Sequence, residues 1–208
     1  MTSRTLAVVT AGLTQPSSTR LLADRLAEAT TAALRSGHGV EAGVEVIELR
    51  SHARDLTNNL LTFFASDTLQ AAKDSVAAAD GVIAVTPIFS ASYSGLFKTF
   101  FDVLDPDTLA GTPVLIGATA GTPRHSLALE YALRPLFAYL KAVIVPTAVF
   151  ASADDWGSAD ELEAGLAGRI DLGGAQLASL VAAPPRLTVT DPFEASVPFE
   201  ELLDDADE

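Results

Sequence analysis

Five short runs of β-branched and small apolar residues, each followed by a stretch of helical spacing, constrain this chain more than any other feature. The runs are LAVVTAG (residues 6–12), VEVIELR (44–50), GVIAVT (81–86), PVLIGATA (113–120) and AVIVPTAVF (142–150). Apolar residues at successive rather than alternate positions suit strands buried on both faces. Between them the spacing predicts helices over 18–35, 67–79, 95–104, 126–140 and 158–181. Strict β-α alternation implies an open parallel sheet covered on both faces, because right-handed crossovers place helices there. Five strands in this pattern favour the order 2-1-3-4-5. Ligands of such sheets sit beyond the carboxyl ends of the strands where the winding reverses, here between the first and third strands. The loops after Thr10, Thr86 and Gly117 therefore matter most.

With 208 residues and 49% hydrophobic content, the chain can bury one sizeable core. The expected division is one domain over 1–182 and an acidic tail over 183–208. That tail holds eight acidic residues between Asp191 and Glu208, no Lys or Arg there, and the apolar residues Phe193, Phe199 and Leu202. It reads as a solvated terminus or as an arm that docks on another subunit. The formal charge of −14 argues against a nucleic-acid surface, which depends on clustered Lys and Arg. No cysteine is present, which excludes disulfides, thiolate zinc sites and cysteine nucleophiles. No run is long enough for a membrane span or signal peptide, so the expected location is cytoplasmic. The segment SHARDLTNNLLTFFASD (51–67) exceeds a minimal connection and has room for another helix or a contact surface.

The first loop, TAGLTQPSSTR, places Thr14, Gln15, Ser17, Ser18, Thr19 and Arg20 around a helix start. A helix N-terminus offers unpaired amides and a positive dipole end, which hold a monophosphate without a lysine. Ser17 or Ser18 as an ordinary helix cap explains the same residues, and the sequence leaves both readings open. The triphosphate pattern G-x-x-x-x-G-K-[ST] and the dinucleotide pattern G-x-G-x-x-G are both missing. Gly165, Gly168, Gly173 and Gly174 fall in a late helical pattern and read as packing positions or breaks. The second loop, TPIFSASYSG, combines Pro87 with Ser90, Ser92, Ser94 and Gly95, where backbone can approach a flat ligand flanked by Phe89 and Tyr93. An ordinary β-to-α connection with Ser94 as cap is the alternative.

This second stretch resembles the NADPH-dependent FMN reductase family, whose motif runs close to P-x-Y-N-x-S-x-x-G-x-L-K-N-x-x-D. Here those places hold Pro87, Phe89, Ser90, Ser92, Gly95, Phe97, Lys98, Thr99 and Asp102. Pro, Ser, Gly, Lys and Asp match in register, while Phe89, Ser90 and Thr99 replace Tyr, Asn and Asn. The family's phosphate turn G-S-x-R-x-x-S is matched at Gly12 and Ser18, with Leu13 and Gln15 in place of Ser and Arg. The resemblance implies a flavodoxin-like three-layer sandwich and FMN as cofactor. It implies FMN contacts from the first loop, from Pro87, Ile88, Phe89, Ser90, Ser92, Tyr93 and Gly95, and from Thr119, Ala120, Gly121, Thr122 and His125 of the third. The lost arginine predicts weaker, more exchangeable FMN, with Arg20 partly restoring the charge. No residue reads as a chemical catalyst, because the cofactor carries the hydride chemistry.

The implied activity is hydride transfer from NADPH, or NADH, to FMN. Arg124, Arg134 and Lys98 are the cations nearest for nicotinamide phosphates, with Lys98 also spaced to pair with Asp102. GATAGTPRHSL followed by ALRPLFAYL is similar to the actinobacterial-type flavin reductases that work beside luciferase-like monooxygenases, which implies such a partner. A homodimer or homotetramer is implied by the same resemblance. An FMN-bound quinone or azo-compound reductase and a flavodoxin-type electron carrier remain as alternatives. A phosphoryl-accepting receiver is discounted, since TAG and TP stand where its acidic residues belong.

Overall fold

The computed structural model describes residues 3–156 and 165–183. The strand β1 (Ser3–Thr10) is followed by α1 (Ser18–His38), β2 (Glu41–Glu48), α2 (Ala53–Thr62), α3 (Asp67–Ala77) and β3 (Gly81–Phe89). Next come β4 (Ser92–Tyr93), α4 (Gly95–Asp102), β5 (Pro113–Ala120), α5 (Arg134–Tyr139), β6 (Val143–Ile144), β7 (Val149–Ser152) and α6 (Leu166–Ala182). The sheet order is β2-β1-β3-β5-β6, with β7 also beside β5 and β4 beside β3. β1 runs parallel to β2 from Ser3↔Glu41 to Thr10↔Glu48, and to β3 from Leu6↔Gly81 to Thr10↔Val85. The expected 2-1-3-4-5 order is thus present in five positions, although the sheet has seven strands.

The extra strands have physical causes. The predicted fifth strand is broken: Val143 pairs with Pro113 and Val149 with Gly117, six residues against four, so two extra residues bulge out around Pro146. Arg134 donates to the carbonyls of Val145 (3.3 Å) and Pro146 (3.0 Å), satisfying groups the broken strand releases. β3 continues three residues past its predicted end, because Ile88 and Phe89 pair antiparallel with Tyr93 and Ser92. The predicted helix over 126–140 is preceded by a 3₁₀ turn at Pro123–His125 and divided into a π-helical turn at Leu129–Leu133 and α5. The 51–67 segment does contain a helix, α2. The first part of the predicted helix over 158–181 and all of the acidic tail after Ala183 lie outside the described residues.

Side chains of β1 alternate between two cores. Ala7 and Val9 face a cluster with Phe97, Phe100, Phe101 and Phe137, whereas Leu6 and Val8 face Leu22, Leu26, Leu177 and Val181. Phe101 bridges α4 and α5, with ring centroids 4.8 Å from Phe97 and 4.9 Å from Phe137. On the opposite face α1 and α6 meet closely at Gly174, where a Cβ would stand 2.9 Å from the Thr30 amide nitrogen. Gly173 and Gly174 are therefore packing positions inside an unbroken helix. Among the described residues no helix is long and apolar enough to cross a membrane.

Candidate functional site

The parallel register brings the ends of β1, β3 and β5 to one edge, and the three loops leave from it. In the first, the amides of Leu13, Thr14, Gln15 and Ser17 engage no hydrogen bond among the described residues, and those of Ser18 and Thr19 lie in the first turn of α1, which a helix leaves unpaired. Ser17 is the helix cap, its hydroxyl accepting from the Arg20 amide at 3.2 Å. Gly12 is required beneath this cap: a Cβ there would fall 2.1 Å from Ser17 Oγ. Thr10, at the end of β1, is buried and its hydroxyl has no partner. Unpaired amides beside an orphaned buried hydroxyl form a donor-rich setting suited to an anion.

The first loop carries no free cation. Arg20 donates from Nε to Asp24 at 2.7 Å and from Nη1 to Glu48 at 2.5 Å. The Asp24 hydrogen bond leads in holding its pKa above the ordinary arginine value, with Glu48 adding to it. The expectation that Arg20 replaces the missing loop arginine therefore meets a guanidinium already bound by two carboxylates. Gln15 and Thr14 are exposed, and Thr14 Oγ1 donates to the Pro16 carbonyl at 2.9 Å.

The second loop is a tight hairpin. Ser90 (φ 49°) and Ala91 (φ 70°) turn β3 into β4, both in the left-handed region that type I′ turns demand. Phe89, at the hairpin's edge, is 49% exposed. Tyr93 is half-buried and its ring lies 6.0 Å from that of Phe97, so it is tied to the core. Buried Thr86 braces the hairpin: its hydroxyl accepts from the Ser94 amide at 3.1 Å and donates to the Pro87 carbonyl at 2.9 Å. Ser94 in turn caps α4 by accepting from the Phe97 amide at 3.2 Å. Ile88 is buried, whereas Gly95 opens onto free space.

The third loop is joined to the first. Thr119, buried at the end of β5, shares a 2.8 Å hydrogen bond with Thr19 in the first turn of α1. Ala120 is half-buried, Gly121 and Thr122 are exposed, and a Cβ at Gly121 would meet nothing within 4 Å. Pro123 then starts the 3₁₀ turn that leaves Arg124 exposed and His125 half-buried. Sequence reasoning found these loops but missed Thr10 and Thr86 as buried hydroxyls; threonines ending otherwise aliphatic strands were the available signal.

Of the other expected cations, Arg134 is held by both Glu130 oxygens (2.7 and 3.0 Å) and lowers that carboxyl's pKa, while Lys98 pairs with Asp102. A groove of about 760 Å³ is lined by Ser92 and Tyr93 of the hairpin together with Lys98, Phe101, Tyr131 and Tyr139. It lies between α4 and α5 and away from the first loop.

Comparison with known proteins identifies the family. The family model for the NADPH-dependent FMN reductase matches residues 4–157. An FMN reductase (NADPH) of Pseudomonas aeruginosa is 36% identical, covering 83% of this chain and 89% of the relative. The NADH-dependent FMN reductase SfnF of Pseudomonas fluorescens is also 36% identical, covering 86% of this chain and 93% of the relative. Among solved structures, an oxidoreductase from Corynebacterium diphtheriae has a TM-score of 0.84 at 46% identity, covering 89% of this chain and all of the other. The apo form of the NADH:FMN oxidoreductase EmoB has a TM-score of 0.78 at 27% identity, covering 93% of this chain and all of the other. A flavodoxin, WrbA-like protein from Agrobacterium tumefaciens shares the fold, with a TM-score of 0.55 at 19% identity. With its flavodoxin-like sheet, its three converging loops and a family match over most of its length, this chain belongs to the NADPH-dependent FMN reductase family.

Proposed function

We propose that this protein oxidises NADPH or NADH and reduces FMN as an exchangeable substrate, releasing reduced FMN for use elsewhere. The observation that carries the exchangeable part is the state of Arg20, whose pairing with Asp24 and Glu48 leaves the first loop with amides and hydroxyls but no free cation. The residues present fit FMN. The loop amides of Leu13, Thr14 and Gln15, with Ser17, Ser18 and Thr19, hold the phosphate through neutral donors. The hairpin, from Pro87 to Tyr93, and Thr119, Ala120, Gly121, Thr122 and His125 of the third loop border the flat ring. FMN, when bound, supplies the hydride-accepting group. The protein's part is to align two flat molecules and exclude water, which requires no side-chain acid or base at the reacting carbon.

Neutral hydrogen bonds are roughly half as strong as charge-assisted ones, so a phosphate held this way dissociates more readily. A loosely held flavin serves a separate consumer, and a luciferase-like monooxygenase in the cytoplasm is the partner we assign. The groove between α4 and α5, bordered by Tyr131 at 79% exposure and Tyr139 at 84%, supports a homodimer or homotetramer closed over that face. Sedimentation at micromolar concentration tests this, and a clean monomer contradicts it.

The function is tested by steady-state NADPH oxidation with and without added FMN, after dialysis. Turnover that requires free FMN supports the reading. Retained flavin with turnover only on adding a quinone or azo dye supports a quinone or azo-compound reductase instead. Coupled oxygenation by a luciferase-like monooxygenase that proceeds equally without this protein contradicts the partner assignment.

A further inference from the structure

The proposed substrates are anionic and the chain carries a formal charge of −14, so the distribution of its 13 Lys and Arg residues decides where a nicotinamide nucleotide's phosphates can rest. Most cations in the described residues are already paired. Arg4 is bound to Asp80, Arg20 to Asp24 and Glu48, Arg35 to Glu41, Arg50 to Glu48, Lys98 to Asp102, Arg134 to Glu130, Lys141 to Asp107 and Arg169 to Asp155. Arg25 lies over the Trp156 ring, 5.2 Å from its centroid. Arg54 on α2 and Lys73 on α3 have no anionic partner, but both belong to helices outside the three loops. Arg124 is the one cation on those loops, among the described residues, that has no protein partner.

Its setting is open. Gly121, three residues earlier, borders empty space, and the turn begun by Pro123 is closed by the Ser126 amide donating to the Pro123 carbonyl at 3.1 Å. That turn separates two neighbours: His125 is half-buried, whereas Arg124 is exposed on the third loop. We propose that Arg124 holds a phosphate of the incoming nicotinamide nucleotide, a specificity contact that rests on the flavin-reductase reading above. It acts on the donor's binding and not on FMN or on hydride transfer itself.

The test compares wild type with Arg124→Ala and Arg124→Lys, in the full chain, using NADPH and NADH as separate donors. Losing one charge-assisted contact is expected to raise KM for NADPH about tenfold. The kcat, the KM for FMN and the melting temperature should stay unchanged, since Arg124 has no partner among the described residues. Arg124→Lys should recover part of the loss, and added salt should raise the wild-type KM more than that of Arg124→Ala. An increase confined to NADPH puts the contact at its 2′-phosphate, and an equal increase with NADH puts it at the diphosphate; either supports the assignment. Unchanged KM for both donors, or a fall in kcat alone, overturns it while leaving the flavin-reductase reading intact. A wild-type protein that oxidises neither donor with any flavin overturns that reading, and this assignment with it.

Discussion

Thr19 Oγ1 and Thr119 Oγ1 are joined by a buried 2.8 Å hydrogen bond across 100 residues of sequence. It ties the first turn of α1 to the end of β5, so the loop offering unpaired amides and the third loop share one buried contact. Replacing one threonine by valine leaves the other hydroxyl buried and unsatisfied, which costs about 1–3 kcal/mol. The double Thr19→Val/Thr119→Val variant should be no less stable than either single one. Denaturant unfolding of the four proteins measures this, and simple additivity of the two losses would contradict the coupling.

The first loop, proposed to hold the FMN phosphate, should respond to a cation placed where it lacks one. Gln15→Arg is expected to tighten FMN by about tenfold, the worth of a charge-assisted phosphate contact. Arg20→Met should change FMN affinity far less, because its guanidinium serves Asp24 and Glu48. Fluorescence titration with FMN distinguishes the two, and a large loss of affinity in Arg20→Met would assign the loop's charge to Arg20 after all.

The hairpin holds Ala91 at φ 70°. Glycine reaches that region without steric cost, so Ala91→Gly should stabilise the fold by about 1 kcal/mol. Ser90→Asn should stabilise in the same direction, since asparagine tolerates left-handed backbone. The unfolding midpoint measures both; a loss of stability in either would mean that the turn differs from type I′.

Gly174 faces a backbone rather than a flexible side chain. The added methyl of Gly174→Ala would meet the Thr30 amide nitrogen at 2.9 Å, forcing α1 and α6 apart at a cost of about 1–3 kcal/mol. Thermal unfolding tests this directly, and an unchanged melting temperature would contradict the close approach.

The Glu130–Arg134 pair braces the broken edge strand and is sensitive to acid. The Arg134 hydrogen bond holds the Glu130 carboxyl below the ordinary value despite some burial. A depressed carboxyl pKa stabilises the fold above the ordinary unfolded-state value and loses that contribution as pH falls below it through the lower folded-state value. Glu130 is half-exposed, so the effect is small, under about 1 kcal/mol. Glu130→Gln should flatten the stability-against-pH curve in this window without altering it near neutral pH, beyond a constant offset.

The central strands were legible because burial on both faces leaves continuous aliphatic runs, and Ser17, Ser66 and Ser94 cap α1, α3 and α4 through their side chains. Other features depended on tertiary contacts. Pro146 hints at a break in 142–150, but only Arg134 reaching the freed carbonyls explains how the break is tolerated. The hairpin was obscured because Ser90 and Ala91 stand where a type I′ turn prefers Asn and Gly. The pairing of Arg20 with Glu48 joins residues 28 apart, beyond any local pattern. At the site, the loops were visible from topology, whereas the buried hydroxyls of Thr10, Thr86 and Thr119 acquire meaning only from their neighbours.

The most direct test of the central claim is the rate of NADPH oxidation by dialysed protein as FMN is added back. The account expects a colourless protein with no turnover on its own and a rate that saturates with added FMN. A yellow protein that keeps its flavin through dialysis, and whose rate is indifferent to free FMN, would contradict it.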